Sequence, residues 1–545
     1  MNYIIARLRC SVLQMWRHHA TNLALLLSVS ASAHAANVFT YHNDVSRTGW
    51  NSAETSLTSS VVGSPGFGLL HQITLDDQVD AQPLVVANFT IGGTVRNVVY
   101  VATEGNTVYA IDASSGAILL QRKLGTPAPL PAVCPGTGTV GINSTPVINR
   151  VAKTLYVIAY VSVGGAAEYY LHALSLKTLA DIQTPVVVSA SHVLADGTTL
   201  YNFDAGTVRQ RPALLNANGN IYAGFAGFCE TKNKGARGWL LGWNASTLAS
   251  LSNYLGNQVL PNNAPNDFFL TTLWMSGYGP SATPSGNVFF VTGNSDPSGT
   301  TYDRTGAINL SESVVEWSPS QSKVISYFSP TDSGADVATL DRQDLDFGSG
   351  GVMLLPTQPG ASPHLAVAAG KVGIMYLMKQ DALGGENSGH VLGEYEVGRC
   401  WCGPSYFTGS DGIGRVVSSG GSSIIVWKVQ TSPTTTLQVD AGFASPSIAT
   451  GQKPGFFTSI SSNGTTAGSA VIWAVNRPVA GSPNINLLAF DASSGAQLFS
   501  ATAGTWPQPG NANIVPTVAN GNVYVASSGT LSIFGVASPG ADIHL

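Results

Sequence analysis

The sequence predicts an all-β protein, a single eight-bladed β-propeller of four-stranded antiparallel blades closed by an N-terminal strand. Two repeated patterns and one missing pattern predict it. The hairpin-like stretch Tyr109-Ala-Ile-Asp-Ala-Ser-Ser-Gly-Ala117 recurs as Leu488-Ala-Phe-Asp-Ala-Ser-Ser-Gly-Ala496. A β-branched and aromatic run, as in Asn97-Val-Val-Tyr-Val101, precedes such hairpins along the chain. No sustained 3.6-residue amphipathic pattern occurs after residue 35, which argues against α/β domains.

In chain order, residues 1–35 come first. They carry Arg7, Arg9 and Arg17 and no acid, then the apolar run Leu23–Leu27, then Ala33-His34-Ala35. This is the pattern of a secretory signal peptide cleaved near Ala35, which predicts a secreted or periplasmic protein. Residues 36–66 form an N-terminal extension, 67–536 the propeller and 537–545 a C-terminal tail.

The hairpin has weaker copies: Leu174-Ser-Leu-Lys-Thr-Leu, Trp243-Asn-Ala-Ser-Thr-Leu, Trp317-Ser-Pro-Ser-Gln-Ser, Met378-Lys-Gln-Asp-Ala-Leu, Trp427-Lys-Val-Gln-Thr-Ser and Phe534-Gly-Val-Ala-Ser-Pro. Eight copies predict eight blades, and a unit of about 63 residues implies insertions between strands. Asp112 and Asp491 can accept from backbone N–H groups two residues on, and Gly116 and Gly495 can adopt positive φ. Upstream, Asn218-Gly-Asn220, Ser285-Gly-Asn287 and Asn520-Gly-Asn522 read as hairpin turns. Pro83, Pro146, Pro212, Pro284 and Pro516 read as strand starts, where no ladder N–H is needed. The last unit, Ile514–Val536, supplies only three strands, so Phe67–Leu75 is expected to complete it and hide the open edges.

Composition narrows function. Without residues 1–35 the chain holds 22 basic against 30 acidic side chains, a net −8, and no Lys/Arg run. That excludes a nucleic-acid binder. No apolar stretch after the signal is long enough to span a membrane. Charged residues make up 10% of the chain and glycine 60 of 545 positions, which suits a Ser/Thr/Asn/Gly-surfaced β protein rather than a helical bundle or a charged disordered chain. The letters Gly136-Thr-Gly-Thr-Val-Gly141 match a dinucleotide fingerprint, but they follow a proline-rich loop and lead into a strand, with no helix to face a phosphate.

The stretch Asn97–Gly116 resembles the repeat of pyrroloquinoline-quinone (PQQ) propellers, the quinoprotein alcohol-dehydrogenase-like superfamily. Tyr41-His-Asn-Asp44, Arg47-Thr-Gly49, Gly141-Ile-Asn-Ser-Thr-Pro-Val147, Gly238-Trp-Leu-Leu-Gly-Trp243 and Asp346-Phe-Gly-Ser-Gly-Gly351 resemble a secreted bacterial subgroup of it. The resemblance spans most of residues 40–536. It implies a propeller and, for the dehydrogenases, PQQ and calcium. In these enzymes a hard cation polarises the quinone, a carboxylate takes the alcohol proton, and a Trp and a disulfide of adjacent cysteines wall the cofactor. This chain departs from that pattern. It has no Cys-Cys dipeptide and no Cys-x-x-Cys-His haem motif, and its repeats carry Ala117-Ile-Leu-Leu120 and Ala496-Gln-Leu-Phe499 where a docking Trp usually stands.

Four cysteines follow the signal. Of three possible pairings, Cys134–Cys229 with Cys400–Cys402 is favoured, as structural bridges. Inner-strand starts build propeller sites, which selects Asp80, Gln82, Asn143, Arg209, Arg211, Trp274, Tyr278, Asp344, Asp346 and Tyr406. Asn143, Arg211, Trp274 and Asp346 are the expected cofactor contacts. Asp344 and Asp346, two apart on one strand face, are the expected metal pair, or else they cap turns or pair with Arg342. Arg211 either meets an anion or braces backbone carbonyls, and Trp274 is either a ligand wall or core. Asn294, Asp296 and Asp303 share a Gly/Ser loop with solvent as its default partner. The main functional expectation is a ligand- or partner-binding scaffold, taking a glycan, a protein or a small molecule at the channel or loops. The alternative is a PQQ- and calcium-dependent periplasmic alcohol or sugar dehydrogenase.

Overall fold

A computed structural model describes residues 36–134, 137–193, 198, 200–229, 236–251, 272–295, 310–507 and 511–537. The expected signal peptide, the tail beyond Ala537, and Asp296 and Asp303 lie outside the described residues.

Eight antiparallel sheets follow one another along the chain. Blade 1 holds Leu84–Ile91, Thr94–Ala102, Thr107–Asp112 and Ile118–Lys123, and blade 2 opens with Val147–Asn149. The inner strands of blades 3 to 7 are Leu215–Ala217, Ser281–Ala282, Val352–Leu354, Ser405–Thr408 and Phe457–Ser461. Blade 8 is composite. Thr517–Ala519 pairs with the start of Asn522–Val536, and the end of that segment pairs with Phe67–Gln78, from Phe67 opposite Val536 to Gln78 opposite Ser528. The expected N-terminal closing strand is therefore present, and it leaves no free edge between the last blade and the first.

The turn chemistry follows the sequence. Asp112 Oδ1 accepts from Ser114 N at 2.8 Å, and Asp491 Oδ1 from Ser493 N at 3.0 Å and Ser494 N at 2.9 Å. Gly116 and Gly495 have φ of +69° and +78°. Asn218–Gly219 and Asn520–Gly521 are both left-handed at their two central positions, as a two-residue hairpin whose twist matches its strands requires. Three expectations shift. Pro284 lies between the first two strands of blade 4, after Ser281–Ala282, because it is the second residue of the turn closed by Gly286 N to Thr283 O at 2.9 Å, where the fixed φ of proline fits. Trp427–Gln430 is strand, so the blade 6 turn begins only after Gln430. Phe534 lies within the closing ladder, opposite Leu69.

Residues 38–51 fill the axis, and this sets the depth of the site. Val38 exchanges both backbone hydrogen bonds with Val85 of blade 1 at 2.9 Å. Phe39 O accepts from Ile148 N, Val45 O from Ala282 N, Ser46 O from Leu354 N, Thr48 O from Tyr406 N and Gly49 O from Ile460 N. Arg47 Nη2 donates to Leu214 O at 3.2 Å and Asn51 Nδ2 to Val518 O at 2.9 Å. One short segment thus touches the inner region of every blade. Arg47 is fully buried and also donates to Thr40 Oγ1, Tyr41 O and Pro280 O. His42, Asn43 and Arg47 take positive φ, a strained coil held by this network. Gly49, φ +66°, is obligatory because a Cβ there would fall 2.5 Å from the His42 ring. The motifs at Tyr41–Asp44 and Arg47–Gly49 therefore encode an axial plug. His42 Nε2 lies 3.2 Å from Ser405 Oγ, but the pair is fully buried beneath the site and serves packing, not nucleophilic chemistry.

Candidate functional site

The plug contacts the first residues of the inner strands, so the loops leading into those strands form a cup above it. The fourth residue before the inner strand is Asp80, Asn143, Arg211, Trp401, Lys453 and Asn513 in blades 1, 2, 3, 6, 7 and 8. In blades 4 and 5 the approach is longer and brings in Trp274 and Asp346. The turns between second and third strands add Glu104, Lys371 and Arg477. Inner strands of a propeller converge on its axis, so these loop positions converge too.

Two buried ionic clusters form. In the first, Asn143 Nδ2 donates to Asp80 Oδ2 at 2.9 Å and to Glu104 Oε1, while its Oδ1 accepts from Arg209 Nε. Arg209 also lies 3.6 Å from Glu104. Burial, then the neighbouring Asp80, push the Glu104 carboxyl well above its usual range.

In the second cluster Lys371 is the hub. Its Nζ donates to Asp344 Oδ1 at 2.8 Å and to Asp344 O at 3.2 Å, and it pairs with Asp346 Oδ2. Burial pulls the ammonium down, but Asp346 and Asp344 outweigh it and hold Lys371 above its ordinary value. Burial works against ionised Asp346 as well, yet Lys371 and the Asn294 N–H, 3.0 Å from Oδ1, hold this carboxylate below its usual range. Fully buried Glu312 lies beneath. Its Oε2 accepts from Phe347 N at 2.5 Å, and burial, then Asp346, raise its carboxyl well above normal.

Trp274 joins the clusters. Its Nε1 is 3.5 Å from Asp346 Oδ1, and its ring lies 5.4 Å from Lys371 Nζ and 5.7 Å from the Arg211 guanidinium carbon. Burial, then Arg209, lower Arg211 to about 10, and burial, then Arg211, lower Arg477 to about 9. A cavity of about 210 Å³ is lined by Arg209, Arg211, Phe228 and Trp274 together with Cys134 and Cys229. These cysteines are disulfide-bonded, as are Cys400 and Cys402, so both expected bridges are present. The first bridge works because Cys134 sits in the loop of the small hairpin Ala128–Pro129/Thr139–Val140, and Cys229 lies in the turn just beyond the second strand of blade 3, Asn220–Gly227. The second flanks Trp401, whose ring lies 5.4 Å from Lys371 Nζ and 5.5 Å from Lys453 Nζ.

Arg211, Trp274 and Asp346 thus share one neighbourhood, while Asn143 belongs to the cluster around Arg209. Asp344 and Asp346 do not share a strand. Asp344 is the left-handed C-cap of the helix Val337–Gln343, and Asp346 opens the next turn. Their cation is Lys371, not Arg342, which donates to Thr339 Oγ1. Among the described residues no cluster of three or more His, Cys, Asp or Glu side chains could hold a metal ion. Asp344 and Asp346 are thus each already paired with Lys371 as the chain arranges them. Tyr278 is also not a site residue. It is buried in the plug, its hydroxyl donating to Arg47 O at 2.8 Å. Glu104, Lys371, Glu312 and Arg477 escaped the sequence reading, which looked only at strand starts and not at the turns between second and third strands.

The chain shares its eight-bladed propeller fold with solved dehydrogenase structures. It is similar to the quinohemoprotein alcohol dehydrogenase from Comamonas testosteroni, with 14% identity and a TM-score of 0.60 over 94% of this chain and 82% of that one. A quinohemoprotein alcohol dehydrogenase from Pseudomonas putida HK5 gives 12% identity and 0.57 over 93% and 81%. A europium-containing methanol dehydrogenase gives 11% and 0.54 over 92% and 98%. No protein-family model and no curated protein sequence matches the chain. Among the described residues no helix is long and apolar enough to cross a membrane.

Proposed function

We propose that this protein is an exported quinoprotein oxidoreductase that binds PQQ in the axial cup and oxidises an alcohol or sugar hydroxyl. One observation carries the reading: Trp274 and the Cys134–Cys229 disulfide line one cavity with two arginines. A Trp and a disulfide are the pair of walls that the sequence resemblance implies for a quinone. Here the cysteines lie 95 residues apart instead of adjacent. Arg211 carries no hydrogen bond among the described residues, so its half-buried guanidinium is a cation that a carboxylate-bearing planar ligand satisfies. Trp274, Arg209 and Arg211 would hold the group.

PQQ, when bound, supplies the two-electron, hydride-accepting chemistry. The chain supplies the base. Asp346 is buried, kept ionised by Lys371 and placed beside Trp274, so its carboxylate can take the hydroxyl proton of a substrate. Lys371 orients Asp346 through their ion pair, and the plug closes the cup from below. The structural neighbours are dehydrogenases, which supports this reading over the expected scaffold role. Two disulfides support export to an oxidising compartment.

The test is to titrate the purified protein with PQQ and then assay dye-linked oxidation of primary alcohols and sugars. Saturable binding and dye reduction are expected, with Asp346→Asn retaining the first and losing the second. Absence of saturable PQQ binding would overturn the proposal.

A further inference from the structure

We infer that Lys371 occupies the seat of a divalent cation, so that the cup binds its cofactor without a metal ion; as applied to PQQ this rests on the function proposed above. A hard cation such as calcium takes six to eight oxygen ligands, several of them carboxylate. In this cup both oxygens of Asp346 and Oδ1 of Asp344 are already engaged, while the buried Glu312 Oε1 keeps no hydrogen-bond partner among the described residues. The three N–H donors of Lys371 meet three acceptors, Asp344 Oδ1, Asp344 O and Asp346 Oδ2. The other oxygen of Asp346 faces Asn294 N and Trp274 Nε1. Glu312 directs one oxygen to Phe347 N, and its carboxyl is held toward the neutral form by burial and by Asp346.

The other cluster is also turned the wrong way for a metal. Asn143 points its NH₂ at Asp80 and Glu104 and its carbonyl at Arg209. An amide ligating a metal would present its oxygen beside the carboxylates instead. Each group of carboxylates is thus paired with one cation of the chain itself. A divalent ion at Asp346 would have to displace or repel an ammonium that is itself buried, at 8% side-chain exposure. The positive charge beside Trp274 is consequently covalent and permanent.

Two measurements on the full chain test this. In the first, the metal is used alone: terbium(III), excited through tryptophan and competed by calcium, is titrated into the unmodified protein, Asp346→Asn and Lys371→Met. The unmodified protein and Asp346→Asn are expected to behave alike. Lys371→Met, if it folds, is expected to gain a calcium-competed site that adding Asp346→Asn removes. A calcium-competed site in the unmodified protein that Asp346→Asn abolishes would overturn the assignment, whether or not Lys371→Met folds.

In the second, PQQ is titrated by tryptophan quenching in chelator and in excess calcium. Equal affinity in both supports the inference, and binding that appears only with calcium overturns it. Failure to bind PQQ under either condition defeats the cofactor proposal, while the terbium titration still decides the role of Lys371.

Discussion

The guanidinium carbon of Arg211 lies 5.7 Å from the centre of the Trp274 ring. The two residues come from loops of adjacent blades, and Arg211 makes no hydrogen bond among the described residues. Its charge is therefore free to recognise a ligand. Arg211→Met should weaken PQQ binding by about tenfold to a hundredfold, the equivalent of roughly 1.5–3 kcal/mol for a charge-assisted hydrogen bond. The melting temperature should hold or rise, since a desolvated cation is removed. Calorimetric titration beside a thermal scan separates this from a structural role, which would lower the melting temperature instead.

The plug has the opposite signature. Arg47→Ala would leave Tyr41 O, Pro280 O and Leu214 O without their donor in the core. Each unpaired buried carbonyl costs about 1–3 kcal/mol, so a severe loss of stability is expected. Asp411→Ala breaks a pair with Arg415 in which Asp411 is 40% exposed, and should cost about 0–1 kcal/mol. Denaturant unfolding of the two variants should differ accordingly, and equal midpoints would show that the plug contributes little.

Cys134–Cys229 ties the loop after blade 1 to blade 3 across 95 residues. Replacing both cysteines by serine should cost about 2–4 kcal/mol, chiefly by releasing the unfolded chain. Because the bridge also lines the cavity beside Trp274, PQQ affinity should fall with it. Non-reducing peptide mapping that found both thiols free in the native protein would refute the bridge.

Glu312 sets a pH dependence. Its carboxyl is raised above its ordinary 4.5 by burial, then by Asp346 and Asp341, against the Phe347 N–H and Lys371. The folded state therefore binds this proton more tightly than the unfolded chain does. The stability it contributes is fully present below pH 4.5 and declines as pH rises toward the folded-state value. Glu312→Gln keeps an acceptor for Phe347 N and removes the titration. Its melting temperature should fall less steeply between pH 5 and pH 8 than that of the unmodified protein. Parallel profiles would show that Glu312 does not titrate in this range.

The repeat was legible because each blade must solve the same local problem. Asp112 and Asp491 bond their own turn, Asn218-Gly219 sets a hairpin twist, and neither needs a distant partner. Closure by Phe67–Leu75, within the observed strand Phe67–Gln78, was legible because the last unit lacked a strand and an unpaired edge must be covered. Arg211 and Asp346 could be placed on loops facing the axis for a related reason: loops entering inner strands face the axis in any propeller.

What is local and periodic could thus be read along the chain: the strands, the turns and the eightfold count. Which charges meet follows from contacts between distant loops. Lys371 lies 25 residues beyond Asp346, on a turn with no motif, and becomes its counter-ion because two loops of blade 5 fold over the same axis. Residues 38–51 read as an extension, yet they form the floor of the cup, because their hydrogen-bond partners lie on seven inner strands spread from Val85 to Val518 and at Leu214, just before the eighth. Pairings between ionic groups depend on distance in space and on burial, and neither is written in the spacing of residues along a chain.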